Sequence, residues 1–149
     1  MENKDLLIYD LAQRLLYGVK VDVNGLVMEP YSINVREGQC QFKKNAASDG
    51  YKTIAIEDKH GNQVIKPYLK ELSQMTPREY DDFKKMTGDR IFLDKDILDN
   101  THPNTKDSLY SKHAVWDIAF NWLNKHHFDY RGLISKGLAI RVTEENNPY

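Results

Sequence analysis

The sequence predicts an α+β protein: a small antiparallel sheet or SH3-like barrel, flanked by an N-terminal helix and a helical C-terminal third. Short runs of β-branched and aromatic residues, separated by turn signals, crowd the segment from Val19 to Tyr68. Leucines at helical spacing precede that segment, and a capping box and a long tryptophan-bearing helical pattern follow it. At 149 residues the chain fits one domain, sheet-rich over 19–68, helical over 76–137 and closed by a strand over 138–142.

Asp5 to Tyr17 reads as an amphipathic helix, with Leu7, Leu11 and Leu15 on one line, Ile8 and Ala12 beside it, and Gly18 at its end. Val19, Val21 and Val23 alternate with Lys20 and Asp22, and Asn24-Gly25 supplies the two positive-φ residues that a tight hairpin needs. The return strand starts at Leu26. Pro30 interrupts it, having no amide to donate to a ladder, and Tyr31 to Val35 continues as a strand. A turn at Arg36 to Gly38 follows. Gln39 to Phe42, Tyr51 to Glu57 and Gln63 to Tyr68 are three further strands, the last two joined by the loop Asp58 to Asn62. The connector Lys43 to Gly50, with Ala46, Ala47 and Ser48, reads as a mobile hairpin tip.

Thr76-Pro77-Arg78-Glu79 is a capping box with proline at the first helical position, so a helix runs from Pro77 to about Met86 and Thr87-Gly88 closes it. In Arg90 to Asn104, Ile91 and Leu93 suit a brief strand and Ile97-Leu98 a helical turn. Leu109, Trp116, Phe120 and Leu123 then form one helical stripe that Val115, Ala119 and Trp122 widen. So wide an apolar arc needs neighbours on two sides, which predicts the central helix of the core. Trp116 and Trp122 project about 120° apart and pack against different neighbours. Trp122, on the flank, suits a self-interface if exposed. The chain turns through Lys125 to Phe128, a short helix starts where Asp129 can cap the amide of Arg131 or Gly132, and Gly137 ends it before a strand over Leu138 to Val142.

With 21 basic and 22 acidic residues, the chain has no global field to draw it onto nucleic acid or an anionic membrane. Its single cysteine, Cys40, excludes an internal disulfide and a cysteine zinc cluster, and suits a reducing cytoplasm. Asp10 and Arg14 break the N-terminal apolar run, so neither a signal-peptide core nor a membrane span is expected there.

Two stretches carry a resemblance. Trp122-Leu123-Asn124, His126 to Ile134 and Lys136-Gly137-Leu138-Ala139 resemble the C-terminal signature of small uncharacterised proteins of phages and prophages of Bacteroidetes. Lys66-Pro67-Tyr68-Leu69, followed by Ser73, Met75 and Thr76, is similar to the segment leading into the middle helix of those proteins. This chain departs from them at Lys125, where they more often carry Ala, and at Glu71, where they more often carry Pro. The resemblance marks Trp116, Trp122, His126, His127, Phe128, Asp129, Tyr130, Arg131, Gly132 and Gly137 as a structural signature and implies a mobile-element origin, but brings no activity with it.

Three groups of residues are candidates for chemistry. His113 and Asp117, four apart on the margin of the tryptophan helix, could hold a metal together with His126 or His127, and so serve a metal-dependent hydrolase; no HExxH pattern supports them. His126-His127-Phe128-Asp129-Tyr130 contains the types for acid–base chemistry, without a patterned nucleophile, and reads more simply as a corner in which Asp129 caps while Phe128 and Tyr130 pack. Residues 36–70 hold seven basic side chains against four acidic ones, and Lys43, Lys44, Lys52 and Lys66, with Tyr51 and Tyr68, suit a strip for single-stranded nucleic acid.

The expectation is therefore a cytoplasmic phage or prophage accessory protein. It binds a host or phage protein and is non-catalytic, without a cofactor or a membrane. A nucleic-acid-binding module over residues 36–70 is the alternative, and a metal-dependent hydrolase the second alternative.

Overall fold

Helix α1 (Asn3–Arg14) buries the side expected of it, Leu7, Ile8 and Leu11, and tightens into a 3-10 turn at Leu15–Tyr17 that Gly18 ends with φ +66°. The chain is α+β, seen in a computed structural model that describes residues 2–44, 50–88 and 109–149, and side chains of the last helix from residue 116 onward. It divides into two compact units, residues 1–69 with 132–149, and residues 70–131.

In the first unit, β1 (Val21–Val23) and β2 (Leu26–Met28) form the hairpin that Asn24-Gly25 specifies, with φ of +53° and +87° at the two turn residues. β1 also pairs antiparallel with β6 (Ile65–Glu71), Val23 opposite Ile65. A second sheet joins β3 (Ser32–Asn34), β4 (Gln39–Lys43) and β5 (Tyr51–Ala55), all antiparallel. Tyr68 and Leu69 pair parallel with β8 (Ile140–Arg141). The inward residues of both sheets share one core with α1: Val21, Val23, Ile65 and Leu69 from one sheet, Cys40 and Phe42 from the other. Gly38 suits the turn from β3 into β4 because its φ is +64°, a left-handed conformation that strains residues with a side chain.

In the second unit, Lys70 and Glu71 pair parallel with β7 (Phe128–Asp129), and α2 (Pro77–Thr87) follows a 3-10 turn at Leu72–Gln74. The capping box at α2 is complete: Glu79 N donates to Thr76 Oγ1 at 3.1 Å, and Thr76 N donates to Glu79 Oε1 at 3.2 Å. α3 (Leu109–Lys125) packs Ala119, Trp122 and Leu123 against Phe83, Phe128 and Tyr130.

Several expectations change. Of the small sheet or barrel expected, it is small sheets that form, two of them, and the strands expected over Tyr51 to Glu57 and Gln63 to Tyr68 run over Tyr51–Ala55 and Ile65–Glu71. The short helix at Asp129 does not form. Phe128 and Asp129 are held extended by their ladder to β6, and residues 133–137 make consecutive turns between Gly132 and Gly137, both at φ +71°. Left-handed residues at both ends leave too few positions to propagate a helix. The final strand shrinks to Ile140–Arg141. α3 organises the core of the second unit, while the first unit has a core of its own. Trp122 is 5% exposed and its Nε1 donates to Asp82 at 2.8 Å, so it is a core residue and not a self-interface. The connector tip at Ala46 to Ser48, the elements expected over 90–104, and the side chains of Leu109, His113 and Val115 lie outside the described residues.

Candidate binding face of the three-stranded sheet

Alternation along β4 decides what each face of this sheet offers. Cys40 and Phe42 point into the core, so Gln41 and Lys43 point out. The register sets their neighbours on the outer face. Asn34 lies opposite Gln39, which lies opposite Ala55; Ser32 lies opposite Gln41, which lies opposite Thr53; and Lys43 lies opposite Tyr51. The result is a face of amides and hydroxyls with a lysine and a tyrosine at one end.

A second tyrosine completes that end. Tyr31 N donates to Gln41 O at 2.7 Å at the foot of β3, and its ring stacks on Tyr51 with centroids 4.9 Å apart and planes 28° apart. Both rings stay accessible, Tyr31 being 52% and Tyr51 49% exposed. Nζ of Lys43 sits 4.8 Å from the centre of the Tyr31 ring, within cation–π range. A hydrogen bond to Tyr31, and then its charge, raises the pKa of the Tyr51 phenol above the usual tyrosine range. Lys44 and Lys52 are exposed at the same end of the sheet, but Lys52 lies across from Phe42 on edge strand β5 and so leaves β5 on the side away from Tyr51. Ser32 Oγ donates to Gln41 Oε1 at 2.7 Å and so orients the central amide. Beside the pair lies an open concavity of about 530 Å³ lined by Met28, Glu29, Pro30, Tyr31, Phe42 and Lys43. Glu29 is engaged by Lys20 at 2.5 Å.

The basic stretch is thus only partly assembled. Lys43 and Tyr51 share the outer face, Lys44 and Lys52 are exposed nearby but on the Phe42 side of the sheet, and Lys66 and Tyr68 are on β6, in the other sheet. Lys66 lies opposite Asp22, and Tyr68 is 8% exposed, its phenol pKa raised by burial and then by Asp22. Its carbonyl accepts from the hydroxyl of Tyr149 at 2.8 Å, and that hydroxyl also accepts from Lys20 N at 3.2 Å. Burial between these groups pushes the pKa of the Tyr149 phenol to about 12.

Of the metal candidates, the side chain of His113 lies outside the described residues. Asp117 is exposed on α3, and His126 stacks on Trp122 at 4.1 Å, its pKa lowered first by burial and then by Lys70 and Lys125 against Glu79 and Asp82. His127 is half-buried in the turn after α3 with φ +62°. Among the described residues no three His, Cys, Asp or Glu side chains form a group that could hold a metal ion. The signature residues sit at a packed corner: Phe128, Asp129 and Tyr130 are buried, Asp129 Oδ1 accepts from Arg131 N at 3.3 Å, and Tyr130 donates from its hydroxyl to Asn124 Oδ1 at 3.1 Å. Trp116 stacks on Phe120 at 5.4 Å, and Phe120 stacks on Tyr130 at 4.9 Å.

Tyr31 and Gln41 were missed by reading the basic stretch alone, since Tyr31 precedes it and Gln41 is uncharged. Pairing Tyr31–Val35 with Gln39–Phe42 across the Arg36–Gly38 turn is the signal that finds both, because it places Tyr31 at the Lys43 end. No protein-family model, curated protein or solved structure matches the chain. Among the described residues no helix is long and apolar enough to cross a membrane.

Proposed function

We propose that this protein is a non-catalytic accessory protein of a phage or prophage that binds single-stranded nucleic acid on the outer face of β3, β4 and β5. The phage setting rests on the resemblance of the C-terminal signature and of the Lys66 to Thr76 stretch alone. The binding reading rests on one observation: two half-exposed tyrosines stack beside Lys43 on an open sheet face. Exposed aromatic rings hold unstacked bases for about 1–3 kcal/mol each without requiring a sequence, and lysines beside them meet the phosphates.

The overall charge of −1 means that any attraction is local, and on this face it comes from Lys43. One neutralised phosphate gives a salt slope of about −0.7, so affinity falls about threefold for a fourfold rise in salt. Fluorescence anisotropy with labelled oligothymidine and oligouridine, at low and moderate salt, tests this. Binding with that slope, weakened by Lys43→Ala with Lys44→Ala, is the expected result; no binding at low salt overturns it.

A protein partner is the second reading, and the concavity beside Tyr31 favours it. Met28, Pro30 and Phe42 give it an apolar lining that an inserted side chain would fill. A stoichiometric partner that survives nuclease treatment in a pull-down from host lysate, and is lost with Tyr31→Ala, is the result this reading requires.

A further inference from the structure

We infer that Gln41, held by Ser32, selects the base next to the tyrosine pair, favouring bases with a carbonyl oxygen on their exposed edge, such as thymine and uracil, over adenine. The inference rests on the single-strand reading above and adds a specificity residue to it. Gln41 is on the central strand of the face, two residues from Lys43, and so one outward step from the Lys43–Tyr51 row. That step is about 7 Å, which a base stacked on Tyr51 spans.

The chemistry follows from the hydrogen bond that Ser32 makes. A glutamine amide can both donate and accept, and it recognises adenine by using both ends at once, Oε1 receiving from the exocyclic amine while Nε2 donates to N7. Here Ser32 Oγ donates to Oε1 at 2.7 Å and turns the carbonyl end of the amide toward β3. Nε2 is left to present its two hydrogens away from β3, on an exposed residue. A donor-only group suits O2 and O4 of thymine or uracil. On adenine the same donor can reach only N1 or N7, and the exocyclic amine beside it is left without an acceptor from Gln41, whose carbonyl is turned toward β3. Thr53, across β4 from Ser32, adds a hydroxyl that either donates or accepts and so tolerates both bases.

The test is anisotropy with labelled oligothymidine and oligoadenosine of one length at low salt, using the full chain, Gln41→Leu, Ser32→Ala and Tyr51→Ala. Because oligoadenosine stacks on itself, the readout is the change in the affinity ratio on substitution and not the ratio alone. The unsubstituted protein is expected to favour oligothymidine. Gln41→Leu is expected to lower the ratio about fivefold, the worth of about one hydrogen bond, and Ser32→Ala to lower it by freeing the amide to rotate. Tyr51→Ala weakens both oligonucleotides alike. A ratio unchanged in Gln41→Leu, with binding retained, overturns the specificity role and leaves the single-strand reading standing. Failure of the unsubstituted protein to bind either oligonucleotide overturns both and returns the face to a protein partner.

Discussion

The rings of Tyr31 and Tyr51 stack at 4.9 Å although one precedes β3 and the other opens β5. The central strand β4 brings them together, through the backbone bond from Tyr31 to Gln41 and the Lys43–Tyr51 pair. Neither ring is part of the buried core. Replacing Tyr31 or Tyr51 by Ala is therefore expected to change folding stability by no more than about 0.5–1 kcal/mol. It should cost about 1–3 kcal/mol of single-strand affinity. Paired urea titrations and anisotropy check this, and a large loss of stability would mean that the pair holds the sheet instead.

Trp122 is the opposite kind of aromatic. It packs edge-on against Phe83 at 5.3 Å and parallel to Phe128 at 5.9 Å, with its indole nitrogen bonded to Asp82. Trp122→Ala should destabilise the protein by about 3–5 kcal/mol. Asp82→Ala removes only the indole bond and should cost about 1 kcal/mol. Urea unfolding followed by far-UV circular dichroism separates the two.

Asp10 and Arg14 form a fully buried ion pair on α1, with bonds of 2.7 and 3.0 Å. Breaking such a pair from one side leaves a charge without its counter-ion away from water. Asp10→Ala should cost about 3–5 kcal/mol, seen as a lowered urea midpoint. A neutral outcome would mean that the guanidinium reaches water when its partner is lost.

His126 makes folding pH-dependent in a defined direction. Its folded pKa lies below the usual 6.5, because burial disfavours the charged ring. Between the folded pKa and 6.5 the unfolded chain therefore binds more protons, and stability rises with pH. The contribution is full above pH 6.5 and is lost as pH falls toward the folded value. The melting temperature should drop on acidification through this window, and His126→Gln should flatten the slope; an identical slope in the variant would place the proton elsewhere.

Cys40 is buried in the first core, and desolvation pushes its thiol pKa to about 12. It should resist a thiol reagent at pH 8 while the protein is folded and react at once in denaturant. Fast labelling of the native protein would show that β4 opens readily.

What the residues determined by themselves was local. Asn24-Gly25 specified a hairpin because only a two-residue turn with positive φ matches strand twist, and Thr76 with Glu79 specified the start of α2 because their side chains satisfy amides three residues apart. The leucine spacing of α1 likewise announced the burial of Leu7 and Leu11, with Leu15 half-buried, and the arc of α3 that of Ala119, Trp122 and Leu123. Tertiary structure decided the rest. The same α1 side also buries Asp10 and Arg14, which composition would assign to solvent; parallel pairing with β6 overrode the helix expected after Asp129; and two separate sheets took Tyr68 into a core while leaving Tyr31 and Tyr51 on an open face. The physical reason is range. Turn and cap energies belong to residues three or four apart, whereas strand pairing and burial join residues whose separation along the chain carries no periodic mark.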